Sequence, residues 1–165
     1  MNVIEEQTKN DNGDEFNETF LCFAIRKNKT EIVKLLLENP RIDVNDVSTY
    51  EFRDDNSIDE KTALFLAFEK ENIEIIELLL KIQSINVNCK LVSYKNQLFE
   101  QVEIYLLHCV IITKNEKIFK LLLTNPKINV NLKSVTRMNE DGNISIIETP
   151  TIRLILKYGN IEMAR

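Results

Sequence analysis

The chain has 165 residues, 21 basic against 26 acidic, a net charge of −5 and 44% hydrophobic residues. That length and apolar content suit one domain with a core of its own, and the mild acidity argues against a general phosphate-binding surface, so no nucleic-acid partner is expected. Cys22, Cys89 and Cys109 are odd in number and lack C-x-x-C spacing, which argues against a disulfide framework or a zinc site. One His and three Gly leave little material for a metal centre or a phosphate-binding loop, and no cofactor is expected. No apolar run approaches the roughly 18 residues of a membrane span. The opening MNVIEEQTKNDNGDEF lacks the basic start and apolar stretch of a signal peptide, so the expected compartment is the cytoplasm or the nucleus.

Residues 1–18 hold Glu5, Glu6, Asp11, Asp14, Glu15 and Glu18 against Lys9, a net of −5, which leaves residues 19–165 neutral. With few apolar residues and an Asn-Asp-Asn-Gly stretch, the segment reads as a flexible acidic tail. Past it, three leucine triplets, Leu35–Leu37, Leu78–Leu80 and Leu121–Leu123, lie 43 residues apart. Around them Thr19–Asn45, Thr62–Asn88 and Tyr105–Asn131 align, and a fourth copy begins at Pro150 and reaches Arg165 before its leucines. Fixed-period similarity of this kind marks stacked supersecondary units.

Each unit predicts two short helices. The first spans Phe20–Lys27, Ala63–Lys70 and Leu106–Thr113; the second spans Glu31–Leu37, Glu74–Leu80 and Lys117–Leu123, with apolar residues at i, i+3 and i+4 such as Ile32, Leu35 and Leu36. Asn28, Asn72 and Asn115 between them tolerate left-handed backbone. Asn39-Pro40 and Asn125-Pro126 end the second helix, because proline lacks the amide and restricts its predecessor.

These residues resemble the ankyrin repeat. Its T-P-L-H-x-A opening is matched in part by Thr19–Ala24 and Thr62–Ala67, then by Tyr105–Val110 and Pro150–Ile155. The triple leucine and the closing Asp43-Val-Asn45, Asn86-Val-Asn88 and Asn129-Val-Asn131 also look like the family's ending. The resemblance implies repeats over 19–61, 62–104 and 105–149 with a partial one over 150–165. It also implies an all-α helical solenoid of stacked helix-turn-helix units with β-hairpin fingers. The helix-turn Gly typical of the family is absent from the first three units, and the period is 43 rather than about 33.

The excess falls in the connectors Asp46–Lys61, Cys89–Ile104 and Leu132–Thr149, each long enough for a hairpin. Val47–Phe52 and Ser57–Lys61 flank Arg53–Asn56; Leu91–Tyr94 and Gln97–Phe99 flank Lys95-Asn96; Val135–Met138 and Ile144–Ile147 flank a turn with Asp141-Gly142. A lone two-stranded ribbon is marginal in water, so the fingers either pair side by side or remain loops without structure. The first finger sets Asp46, Glu51, Asp54, Asp55, Asp59 and Glu60 against Arg53 and Lys61, a net of −4 that would attract a basic partner segment.

Catalytic chemistry finds little support. His108 falls at the family's T-P-L-H histidine, which ties neighbouring repeats by hydrogen bonds, but Tyr105 replaces the usual Thr. Cys109 beside it points about 100° away on a helix and cannot form a nucleophile pair with it. Cys22 and Cys109 read as core residues, and Cys89 as the more exposed thiol. The Asp54-Asp55 pair sits on a turn tip, where catalytic pKa tuning is hard. Lys114, Lys117, Lys120 and Lys127 make the third unit basic, yet the stripe does not continue into its neighbour.

The expected function is therefore non-catalytic protein–protein recognition, with a protein partner and no membrane. The resemblance puts contacts on the concave first-helix face, at Arg26, Lys27, Glu69, Lys70, Ile112 and Thr113. On the fingers it puts them at Asp54, Asp55, Asn56, Tyr94, Lys95, Asn96, Asn139, Glu140 and Asp141. The competing expectation is a targeting or regulatory module of a larger, catalytic protein.

Overall fold

The computed structural model describes residues 6–95, 100–140 and 143–159. They fall into two compact units, Met1–Asn86 and Val87–Arg165. The first holds β1 (Glu6–Lys9), β2 (Glu15–Glu18), α1 (Phe20–Arg26), α2 (Thr30–Leu37), β3 (Val47–Phe52), β4 (Ser57–Thr62), α3 (Ala63–Glu69) and α4 (Ile73–Leu80). The second holds β5 (Lys90–Lys95), β6 (Glu100–Tyr105), α5 (Leu106–Ile112), α6 (Glu116–Leu123), β7 (Lys133–Glu140), β8 (Asn143–Pro150) and α7 (Thr151–Tyr158).

The expected all-α class is overturned: eight antiparallel strands accompany seven helices among the described residues. The fingers are not appendages on a helical stack. In the second unit β6 pairs β7 across two fingers (Gln101↔Arg137, Val102↔Thr136, Glu103↔Val135), so each ribbon gains the neighbour that makes it stable. In the first unit β2 gives β3 the same support. The strands also run further than the sequence pattern does, because pairing continues to the helix starts: β3 and β4 pair from Phe52↔Ser57 to Val47↔Thr62, and β7 and β8 from Glu140↔Asn143 to Lys133↔Pro150. Gln97–Phe99, expected as a strand, lie outside the described residues.

A second difference concerns the opening segment. Residues expected to be a flexible tail form the hairpin β1–β2, registered Glu6↔Glu18 to Lys9↔Glu15. Its turn is built by Asn10, whose side chain accepts from Asp14 N at 2.9 Å, and by Gly13 in left-handed backbone at φ 79°. Phe16 and Glu18 alternate inward on β2. Phe16 stands opposite Tyr50, with ring centroids 5.7 Å apart, the kind of cross-strand pair that stabilises a sheet.

The helices lie close to their expected positions. Thr19 Oγ1 caps α1 by accepting from Cys22 N (3.2 Å), and Asn72 and Asn115 cap α4 and α6 through Ile75 N (3.0 Å) and Ile118 N (3.2 Å). The left-handed residues between paired helices are Asn28, Glu71 and Lys114 (φ 53°, 50° and 55°). Two of the three asparagines read as turn residues are thus N-caps. Leu21, Ile25, Val33, Leu64, Phe65, Ile75, Ile76 and Leu79 fill the core of the first unit. Leu106, Leu107, Val110, Ile111, Ile118, Phe119 and Leu122 fill that of the second. Burying such side chains stabilises each by roughly 1.5–3 kcal/mol. The triplets are not uniformly buried: Leu79 and Leu122 are closed off, whereas Leu35 is 66% exposed and Leu123 44%. Cys89, read as the more exposed thiol, is buried, and Cys109 is half-buried.

Candidate functional site: hairpin turns and helix ends

In the first unit the turn of β1–β2 and the turn of β3–β4 are joined by one carboxylate. Asp14 Oδ2 accepts from Asn10 Nδ2 (2.9 Å), and its Oδ1 accepts from the Arg53 backbone N–H (3.0 Å). Asp11, Asp54 and Asp55 are carried on these turns and exposed. Asp55 Oδ1 accepts from Ser57 N (3.1 Å) and Ser57 Oγ (2.6 Å), which fixes the turn. Asn56 follows at φ 49°. Glu15 stands opposite Glu51 in the ladder, a like-charge pairing that costs stability. Lys9 offsets it at 2.7 Å from Glu15 and Arg53 helps at 3.6 Å, and both hold the Glu15 carboxyl below its ordinary range.

The helix-end residues divide sharply. Arg26 is committed inside the protein: its Nε donates to both oxygens of the fully buried Glu18 (3.0 and 3.1 Å), and its guanidinium lies 4.6 Å from the Phe16 ring. Glu18 raises the pKa of Arg26 and keeps it charged. Tyr50 Oη also donates to Glu18, and burial pushes the Tyr50 phenol far up. The group pins the N-terminal hairpin to α1, a role that sequence reasoning missed. Its available signal was the alternation of Phe16 and Glu18 beside a turn-forming Asn-Asp-Asn-Gly. Lys27 and Lys70 are exposed, whereas Glu69 accepts an ion pair from the buried Lys61 (2.9 Å). Burial opposes the Lys61 charge, but Glu69 and Asp59 outweigh it and raise its pKa above the ordinary value.

In the second unit Ile112 is 38% exposed and Thr113 is exposed, with the Thr113 hydroxyl donating back to Cys109 O (2.9 Å). Tyr94 is half-buried on β5 opposite Gln101, and Lys95 is exposed. Asn139 is half-buried opposite Ile144, and Glu140 ends β7 opposite Asn143. Asn96 and Asp141 lie outside the described residues. Beneath these turns Glu103 bridges Lys90 and Arg137, which hold its carboxyl below the ordinary range.

Among the described residues no group of three His, Cys, Asp or Glu is placed to hold a metal ion. None of their helices is long and apolar enough to cross a membrane. A family model described as ankyrin repeats, three copies, matches residues 2–91. The chain belongs to the ankyrin-repeat family. Proteins built from these repeats are generally protein–protein interaction modules and typically lack catalysis. No curated protein matches the chain.

Proposed function

We propose that this chain is a non-catalytic recognition module that captures a basic segment of a protein partner on the paired turns of its first unit. The observation that supports it is the Asp14 bridge to Arg53 N, which brings the acidic tail and the acidic first finger to one place. Asp11, Asp54 and Asp55 then present charge on turns fixed by Asn10, Gly13 and Ser57, and a rigid charged tip attracts without ordering cost. Among the helix-end residues of this unit Lys27 and Lys70 are exposed, while Arg26 supports the hairpin from within.

The test uses a Lys/Arg-rich peptide titrated onto the immobilised chain at low and high salt. The wild type binds at low salt and weakens steeply as salt rises, because exposed charges are screened beyond a Debye length of about 8–10 Å. Asp54→Lys/Asp55→Lys slows association about tenfold and flattens the salt dependence. Equal association by wild type and variant rules out this mode of capture.

A further inference from the structure

β8 is eight residues long and, among the described residues, pairs with β7 alone, whereas β7 pairs with both β6 and β8. Among the described residues no strand pairs with its outer edge. Proteins usually blunt such an edge with lysine, an internal proline, a bulge or a short strand. β8 has none of these. Its register with β7 runs unbroken from Lys133↔Pro150 to Glu140↔Asn143, its only charged residue is Glu148, and its proline stands last. Its three isoleucines are open, with Ile144 71%, Ile146 61% and Ile147 47% exposed. By contrast β1 is four residues long and reads Glu-Gln-Thr-Lys, a short and charged edge.

We propose that β8 is a self-association edge, at which two copies of this chain join antiparallel, β8 against β8, about a two-fold axis. Hairpin-on-hairpin pairing is already how the chain builds itself, at β2 against β3 and at β6 against β7, and a second copy continues that ladder with the same antiparallel geometry. The sequence of β8 is self-complementary in this arrangement. An axis near Ser145 sets Ile144 beside Ile146 of the other copy, twice, on one face. It also holds the two Glu148 carboxylates about 20 Å apart along the strands, so they do not repel through screened solvent. Pairing of β8 with β1 of another copy would instead join a long apolar edge to a short charged one and leave an open chain of copies.

Sedimentation equilibrium on the full chain tests this directly. The apparent mass rises with concentration from 19.3 kDa towards twice that value and stops there. Ile146→Lys and, separately, Ile144→Lys stay at 19.3 kDa with unchanged far-ultraviolet circular dichroism. Ile112→Lys, at an exposed apolar position elsewhere in the same unit, still dimerises. If the strand variants fail to fold, Ser145→Cys decides: mild oxidation links two copies through this position, and Lys120→Cys on α6 gives no comparable link. A wild type that remains monomeric at every concentration, a dimer that survives both strand variants, masses that climb past the dimer, or equal cross-linking at Lys120→Cys would overturn the proposal.

Discussion

His108 is fully buried between two hydroxyls, with Nδ1 2.5 Å from Ser134 Oγ and Nε2 2.6 Å from Thr151 Oγ1. Thr151 in turn donates to Leu132 O (3.1 Å), so one imidazole ties α5 to β7 and α7. The substitution of Tyr105 for the usual Thr put this role in doubt from sequence; Ser134 and Thr151, distant along the chain, supply the hydroxyls instead. Burial holds the His108 pKa below its ordinary 6.5, so the native state favours the neutral ring. As pH falls below about 6.5 the unfolded chain binds the proton first, and stability drops at up to roughly 1.4 kcal/mol per pH unit until the native ring titrates. Denaturant unfolding of wild type and His108→Gln between pH 7.5 and pH 5, roughly one unit on either side of the ordinary histidine range, should therefore show a steeper loss in the wild type. The left-handed residues make a second prediction. Lys114 and Glu71 hold a conformation that costs a side-chain-bearing residue about 1–2 kcal/mol. Lys114→Gly removes that penalty at some cost in unfolded-chain entropy and should stabilise by about 0.5–1 kcal/mol, read from the urea midpoint. The sequence pointed one residue too far at these two turns, because asparagine suits both a left-handed turn and an N-cap.

At the scale of elements, the helices were legible because a leucine triplet at fixed period registers every repeat against the next. What the period could not report is which apolar positions find a partner. Leu107 and Ile111 on α5 are closed off at 2% and 0% exposure, whereas Ile152 and Leu156, at the same positions of α7, stand 60% and 81% exposed. α5 packs against α6, whereas α7 has no such following helix among the described residues. Ile111→Ala should cost about 2–5 kcal/mol, while Leu156→Ala should change stability by less than about 0.5 kcal/mol, both by chemical denaturation. The strands were half legible. Val47–Phe52 alternates clearly enough to be placed, but β1 and β2 are short and mostly polar, and only their pairing with β3 explains them.

For the molecule as a whole, the repeat shows itself in hydrogen bonds as well as in leucines. Asn45 donates to Ser84 O (2.9 Å) and accepts from Asn86 N (2.7 Å). Asn88, 43 residues on, repeats this with Lys127 O (2.9 Å) and Asn129 N (2.8 Å). The closing asparagine of one repeat thus fastens the end of the next. Asn88→Ala should cost about 1–2 kcal/mol for the two bonds, measured by thermal unfolding. Charge is organised on the same large scale. The surplus of acid in the opening segment was visible in the composition, but its meeting with the first finger depends on Asp14 reaching Arg53, a contact between residues 39 apart. The most direct test maps the amide resonances of the isotope-labelled chain as a Lys/Arg-rich peptide is added. The predicted result is shifts concentrated at Asn10–Asp14 and Arg53–Ser57, with β5–β8 unmoved. Shifts confined to the helix ends, or to Val87–Arg165, would contradict it.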